Sequence, residues 1–219
     1  MKLYRNIAWV CFMFIVFACG NNQNANTTTK HLPFYNEASF TPVWIDTTSP
    51  NYRNIHTIPE FSFINQNGQA ITNRTFDGKI YVADFFFTSC PGICKKLTNN
   101  LSLVQKAFAN DAVILLLSHS VTPDNDSVPK LKQYATQFGV IDGKWHLVTG
   151  ERKAIYDIAR QAYFADEDLG ERKNENDFLH TENVLLIDKH KRIRGVYKGT
   201  LEVDMQHLIE DINTLKQEP

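Results

Sequence analysis

The sequence predicts an α/β domain whose mixed central sheet is covered by helices on both faces. Nearly continuous apolar runs at 80–87 and 112–117 are typical of strands buried on both sides. Segments with apolar residues at helical spacing alternate with these runs. Two further strands, 184–187 and 193–197, are joined by a short charged turn and followed by a helix. The sheet is therefore expected to combine parallel and antiparallel pairs.

The other elements can be placed along the chain in order. Turn residues 65–68 (NQNG) between apolar segments 61–64 and 70–72 predict an N-terminal hairpin. The helix after strand 80–87 is indicated by the spacing of Leu97, Leu101, Val104 and Phe108. The elements that follow are a helix capped by Ser127 and ended by Gly139, strand 145–148, helix 151–163, a polar surface loop 165–177 and a closing helix 203–215. This order is that of a thioredoxin-like fold with an added hairpin and an inserted loop.

Composition and charge exclude several classes of protein. Of 219 residues, 43% are hydrophobic and 21% charged, which is ordinary globular usage and argues against disorder or a coiled coil. Lys and Arg number 23 and Asp and Glu 24, without a block of like charge. Binding to nucleic acid is therefore not expected.

The N-terminus has the pattern of a secretion signal. Lys2 and Arg5 precede an apolar run of eleven residues, 7–17, which is about half of the roughly twenty needed to cross a membrane. The segment 16–20 (VFACG) resembles a bacterial lipobox, so residues 1–18 are interpreted as a lipoprotein signal peptide and Cys19 as the lipidated residue. An ordinary signal peptide that happens to contain a cysteine is the alternative.

Three regions would remain after cleavage. Residues 19–30 are rich in Asn and Thr and are expected to form a flexible tether. Residues 31–58 contain aromatic residues interrupted by prolines and are expected to form an irregular arm packed on the domain, which itself spans 59–217. The mature chain has 21 basic and 24 acidic residues, so its charge of −3 does not favour anionic lipid.

Chemistry is concentrated at two cysteines in the segment 88–96 (TSCPGICKK). Cys90 and Cys94 stand where a buried strand gives way to a helix, and two lysines follow. The positive end of a helix and nearby cations both favour thiolate, the form that binds metals and attacks disulfides. The two thiols are therefore predicted to share a metal ion or to close into a disulfide. Two inert core cysteines are the alternative, which the intervening proline and glycine disfavour.

A second observation separates a metal site from a redox dithiol. Thioredoxin-type oxidoreductases have a two-residue spacer and a cis-proline before a later strand, whereas this chain has a three-residue spacer and no proline between Pro129 and Pro219. The segment before strand 184–187 contains His180 instead. Two thiolates and an imidazole suit Cu(I) and tolerate Cu(II). Zinc would also accept these ligands, although structural zinc sites usually have four.

Several segments together resemble the SCO/SenC family. These are the cysteine segment 85–94, the segment 118–127 after the next strand, LVTG at 147–150, the His180 segment and LID at 186–188. The resemblance covers roughly residues 56–215. It differs from the family pattern at Ser89, where His is common, and at Lys95, where Pro is common.

The resemblance implies a membrane-tethered, thioredoxin-like copper protein that helps to assemble the copper centre of cytochrome c oxidase. Its implied copper ligands, for Cu(I) or Cu(II), are Cys90, Cys94 and His180. The expected function is thus a copper metallochaperone, lipid-anchored on the periplasmic side of a bacterial envelope membrane. Its expected partner is the copper-site subunit of the oxidase or another periplasmic copper protein.

Two enzymatic functions remain as alternatives. In a thiol-disulfide oxidoreductase, Cys90 and Cys94 would act on partner cysteines, as a copper-site reductase or a redox sensor. A peroxidase-like thiol enzyme would need polar partners for its cysteine, and the sequence offers no such set. If the protein is not an enzyme, it has no catalytic residues.

Other polar residues have simpler interpretations. His119 is interpreted mainly as a packed or solvated residue, with a supporting position behind the site as the alternative, and His146 as structural. Asp124 and Asp126 are expected to be turn and cap residues. Exposed positions are expected for the remaining histidines, His31, His56, His190 and His207.

Overall fold

The computed structural model describes residues 31–165 and 181–218. Within them the strands are β1 (Ser62–Asn65), β2 (Ala70–Thr72), β3 (Ile80–Phe86), β4 (Ile114–Ser120), β5 (Trp145–Thr149), β6 (Asn183–Ile187) and β7 (Ile193–Lys198). The helices are α1 (Ile93–Ala107), α2 (Val128–Phe138), α3 (Arg152–Asp157, continued by a π-helical turn Ile158–Ala162) and α4 (Glu202–Gln217), with short 3₁₀ helices at Pro50–Asn54 and Asn73–Phe76. The predicted order of elements is confirmed.

The strands form one mixed sheet in the order β2-β1-β5-β4-β3-β6-β7. Its central strands β3, β4 and β5 are parallel, whereas β1 runs antiparallel to β5 and β6 antiparallel to β3. All seven residues of β3 and of β4 are buried, as the continuous apolar runs predict. The thioredoxin-like fold class is thereby confirmed.

Two apolar layers cover the sheet. Alternate residues of β3, namely Ile80, Val82 and Phe86, pack with the buried faces of α1, α2 and α4. The intervening residues Tyr81, Ala83 and Phe85 face the layer that contains α3 and its π-helical turn. Because side chains alternate along a strand, each sheet position belongs to one layer only. This alternation decides which polar side chains lie near the cysteines.

Strand β4 lies further along the chain than the sequence indicates. The sequence predicts a strand that ends at residue 117, with the polar residues 118–120 in the following loop. In the structure Ser118, His119 and Ser120 are the buried end of β4, in register with Asp84, Phe85 and Phe86 of β3. A polar end of a buried strand is tolerated here because its hydroxyls donate hydrogen bonds to buried carboxylates.

Residues 31–58 run across the domain with little regular structure. Phe34 and Val43 form an isolated antiparallel bridge. Four apolar side chains of the segment are buried, namely Leu32, Phe34, Ile55 and Ile58. Arg194 of β7 is 5% exposed and donates hydrogen bonds to the carbonyl oxygens of Leu32 (2.7 Å) and Pro33 (3.0 Å). These contacts fix the start of the segment on the domain.

Several predictions concern residues outside those described. They are the signal peptide 1–18, Cys19 with the tether 19–30, the polar loop beyond Ala165, and His180. In the described ranges no helix combines the length and the apolar character needed to cross a membrane.

Candidate copper site

The two cysteines stand at the carboxyl end of β3. Cys90 belongs to the loop 87–92 between β3 and α1, here called the cysteine loop, and Cys94 is the second residue of α1. Both are free thiols, and each residue is only 4% exposed. Gly92 precedes the helix without a side-chain cap, so the first N–H groups of α1 are available to a sulfur atom.

The two thiols have opposite acidities. Burial opposes ionisation of Cys90, but hydrogen bonds from the Cys94 thiol and from the N–H groups of Cys94 and Gly92, together with the Lys95 ammonium, lower its pKa. Burial raises the pKa of Cys94, and donation of its proton to Cys90 and the nearby carboxylate of Asp84 raise it further. Cys90 is thus the more readily ionised thiol of the pair, and it accepts a hydrogen bond from the Cys94 thiol.

A buried carboxyl group lies on the same face of the sheet. Asp84 is 2% exposed and accepts a hydrogen bond from the hydroxyl of Ser118, which in turn accepts one from Trp145 Nε1 at 2.8 Å. Burial raises the pKa of Asp84 to about 7, although the Ser118 hydrogen bond opposes this. Asp84 was not predicted as a site residue, although a single acidic residue within an apolar strand was the available signal.

Tyr134 of α2 is linked to the cysteine helix through Thr98. The hydroxyl of Thr98 lies 2.8 Å from the Tyr134 hydroxyl and donates to the carbonyl oxygen of Cys94, also at 2.8 Å. Burial raises the pKa of Tyr134 well above its usual value. The tyrosine is therefore a neutral hydrogen-bonding group that holds α2 against the first turns of α1.

Asp126 anchors the cysteine loop to the neighbouring loop. It is fully buried and accepts hydrogen bonds from the backbone N–H (3.1 Å) and the hydroxyl (2.5 Å) of Thr88, two residues before Cys90. The hydroxyls of Ser120 (2.6 Å) and Thr122 (3.0 Å) donate to the same carboxylate. The prediction of a simple turn or cap residue is wrong for Asp126, because its carboxylate is a buried acceptor shared by two loops.

Asp124 is an exposed side chain of the same region. It forms an ion pair with Arg152 at 2.5 Å, and 67% of its side chain is exposed. The two aspartates of the segment 118–127 therefore differ: Asp126 organises the cysteine loop, whereas Asp124 makes a surface contact. Sequence spacing alone gave no means to tell them apart.

Among the described residues, the buried histidines do not belong to this site. His119 lies in the layer opposite the cysteines, stacked on Phe85 with ring centroids 4.9 Å apart, and burial lowers its pKa to about 4. His146 is buried and contacts Asn65 Nδ2 at 3.3 Å through Nδ1, as a structural residue should. The prediction that His56 is exposed is wrong, since it is half-buried and its Nε2 lies 2.8 Å from the carbonyl oxygen of Ala162.

The remaining histidines with a described environment, His31, His190 and His207, are exposed as predicted. Among residues 31–165 and 181–218, no group of three or more His, Cys, Asp and Glu side chains could hold a metal ion. The described part of the predicted site is therefore the thiol pair, while His180 lies just before the point where the description resumes at Thr181. Two sulfur ligands of unlike acidity can bind a soft metal ion or exchange with a disulfide.

In comparisons with known proteins, the family model, a curated relative and solved structures indicate the same family. Residues 50–217 match the model of the SCO1/SenC family. A SCO1 protein homologue of Bacillus subtilis is 25% identical over 161 residues, covering 73% of this chain and 82% of that protein. The crystal structure of a SCO1/SenC family lipoprotein from Bacillus anthracis has a TM-score of 0.65 and 26% identity, covering 74% of this chain and 96% of the other. Copper-bound ScoI of Bradyrhizobium japonicum shares the fold with a TM-score of 0.58 at 21% identity, covering 73% and 99%.

Proposed function

Because the chain belongs to the SCO1/SenC family, we propose that it is a copper metallochaperone that holds one copper ion through Cys90, Cys94 and His180. The observation that carries this proposal is the pair of free thiols at the carboxyl end of β3, one favoured as a thiolate. Thiolate sulfur is the preferred ligand of Cu(I). Copper-bound ScoI, which has the same fold, supports the choice of metal.

The topology supports His180 as the third ligand. Strand β6 runs antiparallel to β3, with Ala83 opposite Leu185 and Tyr81 opposite Ile187. Continuing this register by four residue pairs brings Thr181 level with Phe87, at the start of the cysteine loop. The residue before Thr181 is therefore expected near the thiols. An imidazole there would complete a three-coordinate site. The family resemblance and the strand register thus both favour His180 as the third ligand.

Unequal acidity of the thiols suits transfer as well as binding. Cys90 has the lowered pKa and ionises more readily than Cys94, so it is expected to capture the incoming ion first. Cys94 would then lose its proton to water as it becomes the second ligand, since metal binding requires the deprotonated thiol. Delivery follows by ligand exchange, one protein ligand being replaced at a time by a ligand of the partner.

The cellular setting is part of the proposal. The lipobox-like segment around Cys19 and the related Bacillus anthracis lipoprotein support a lipid anchor. We place the domain on the periplasmic side of a bacterial envelope membrane. The family resemblance supports assembly of the copper centre of cytochrome c oxidase as the role, with its copper-site subunit or another periplasmic copper protein as the recipient.

A thiol-disulfide oxidoreductase is the second candidate, and one observation favours it. A thiol of lowered pKa beside a thiol of raised pKa, with a buried carboxyl group near the latter, is an arrangement that supports exchange with a disulfide. In this function Cys90 would attack a partner disulfide and Cys94 would resolve the mixed disulfide. Both functions use the same two sulfur atoms, so only experiment separates them.

An anaerobic titration with Cu(I) against a chromogenic chelator tests the proposed function. We expect reduced protein to bind one copper ion per chain, and protein with the Cys90–Cys94 disulfide to bind none, because a disulfide offers no thiolate. The loaded protein should pass copper to a thiolate-containing acceptor domain. If reduced protein shows no saturable binding but reduces a partner disulfide, the oxidoreductase replaces the chaperone.

A further inference from the structure

The chain enters the described domain at a fixed point on one end of the sheet. The backbone N–H of Leu32 donates to Glu218 at 2.8 Å, and Arg194 binds the carbonyl oxygens of Leu32 and Pro33. Arg194 also pairs with Glu218 at 2.6 Å and is 5% exposed. Since this cluster is buried, the position of His31 at the start of the described chain is well defined.

An apolar surface adjoins this entry point. Trp44 is 66% exposed, the largest exposed fraction among the large apolar side chains described, and its neighbour Val43 is 38% exposed. Val43 is bridged to Phe34 by two backbone hydrogen bonds of 2.8 and 2.9 Å, so Trp44 is held beside the entering chain. Trp44 and His31 both line a cavity of about 500 Å³.

This surface lies at the end of the sheet opposite the cysteines. The cavity is also lined by Asp188, Lys189 and His190, which form the turn between β6 and β7. The last residue of β6, Ile187, is opposite Tyr81 near the start of β3, whereas the cysteine loop follows the end of β3. The length of β3 alone therefore separates the two ends by about 20 Å.

We propose that the surface formed by Val43 and Trp44 beside the entry of the chain rests on the lipid bilayer, with the Trp44 indole in the interface. The proposal assumes the lipid anchor at Cys19 but not the copper chemistry. It places the cysteine loop on the side of the domain that points away from the membrane. A recipient would then meet the thiols from the aqueous side.

The length of the preceding chain favours the bilayer as the occupant of this surface. Eleven residues lie between Cys19 and His31, and a random-coil chain of that length would span about 20 Å on average. A domain of this size is about 40 Å across, so the end that carries His31 stays closest to an anchored lipid. Trp is the side chain that most favours the membrane interface, where its ring is apolar and its N–H remains hydrated.

Tryptophan fluorescence of the full mature lipoprotein in vesicles tests this orientation. The vesicles are phosphatidylcholine with and without acyl chains brominated near the headgroup. The mature chain contains Trp44 and Trp145, and Trp145 is 1% exposed. We expect brominated lipid to quench the wild-type protein but not Trp44→Phe, and acrylamide quenching of Trp44 to fall by about twofold on reconstitution as part of the ring leaves water.

A matched control places a tryptophan at the other end of the sheet. Leu201 is 42% exposed and follows β7 at the end that carries the cysteine loop. In the variant Trp44→Phe/Leu201→Trp, brominated lipid should have no effect. Equal quenching of both positions, or of neither, overturns the proposal. Concentration-dependent shielding of Trp44 without lipid would instead assign the surface to a second copy and would also overturn it.

The same preparations separate this inference from the proposed function. Trp44→Phe is expected to leave copper binding unchanged, because Trp44 is remote from the thiols. A preparation that carries no lipid and stays off the vesicles would remove the anchor and overturn the orientation while leaving the copper chemistry intact. Loss of copper binding with normal quenching of Trp44 would overturn the copper chemistry while leaving the orientation intact.

Discussion

Replacement of Cys94 by serine is expected to lower the affinity for Cu(I) by roughly 10²–10⁴-fold, as one of three ligands is lost. It is also expected to reduce the pH dependence of binding. Because the pKa of Cys94 is raised by burial, its proton is still present at neutral pH and must leave when copper binds. Wild-type affinity should therefore rise about tenfold for each pH unit between about pH 7 and 8.5 from this thiol alone.

The corresponding change at Cys90 should behave differently. Cys90→Ser is expected to lose affinity to a similar extent but to keep the contribution of Cys94 to the pH dependence, since the Cys90 pKa is already lowered. Competition titrations with a Cu(I) chelator at several pH values measure both effects. Ser89→Ala, which alters an exposed neighbour of Cys90, should match the wild type. An identical pH slope in the wild type, Cys94→Ser and Cys90→Ser would contradict the unlike acidities of the thiols.

The second large effect is expected at Asp84. Its pKa of about 7 in the folded protein is above the ordinary value of 3.8, so the folded state retains a proton that the unfolded chain loses. Stability from this group is therefore lost as pH rises from about 4 to 7. At about 1.4 kcal/mol per pKa unit, Asp84→Asn should raise the free energy of unfolding at pH 8 by roughly 2–4 kcal/mol and change it little at pH 4.

His119 has the opposite dependence over much of the same range. Burial lowers its pKa from 6.5 to about 4, so the unfolded chain takes up a proton first as pH falls, and stability is lost below about pH 6.5. The two slopes offset each other in the wild type between about pH 4 and 6.5. Asp84→Asn should expose the His119 slope, with stability rising by about 1.4 kcal/mol for each pH unit between about pH 4.5 and 6.

Urea unfolding followed by circular dichroism at about pH 4.5, 6 and 8 measures these dependences. Asp77→Asn is a matched control, because Asp77 has 61% of its side chain exposed and pairs with Lys191 at the surface. It should change stability little at any pH. If Asp84→Asn is no more stable than the wild type at pH 8, ionisation of the buried Asp84 carboxyl group does not destabilise the folded protein as inferred.

The parts of the fold that depend on apolar pattern follow from the sequence. A run such as 80–87 has few alternatives to a central strand, and Leu97, Leu101 and Val104 require a helix to be buried together. The end of β4 could not be located in this way. Ser118, His119 and Ser120 look like loop residues until Asp84 and Asp126 are known to accept hydrogen bonds from the two serine hydroxyls.

The candidate site likewise contains residues that local sequence predicts and residues that only the fold identifies. The spacing, the helix start and the lysines singled out Cys90 and Cys94 from local sequence alone, and their free thiols meet at the carboxyl end of β3. Asp84 was missed and the role of Asp126 was wrongly predicted, because both roles depend on partners 34 and 38 residues away in the chain. Only the fold brings such partners together. The assignment of His180 as a copper ligand depends on the family resemblance and on the register of β6, and it stays a prediction.

X-ray absorption spectroscopy of the Cu(I)-loaded protein tests the central claim most directly, since it reports the atoms bound to copper. Two sulfur ligands and one nitrogen ligand are expected. The nitrogen should disappear in His180→Ala and persist in His190→Ala, which removes an exposed histidine at the opposite end of the sheet. Copper bound without sulfur, or a nitrogen ligand that survives the loss of His180, would contradict the proposed site.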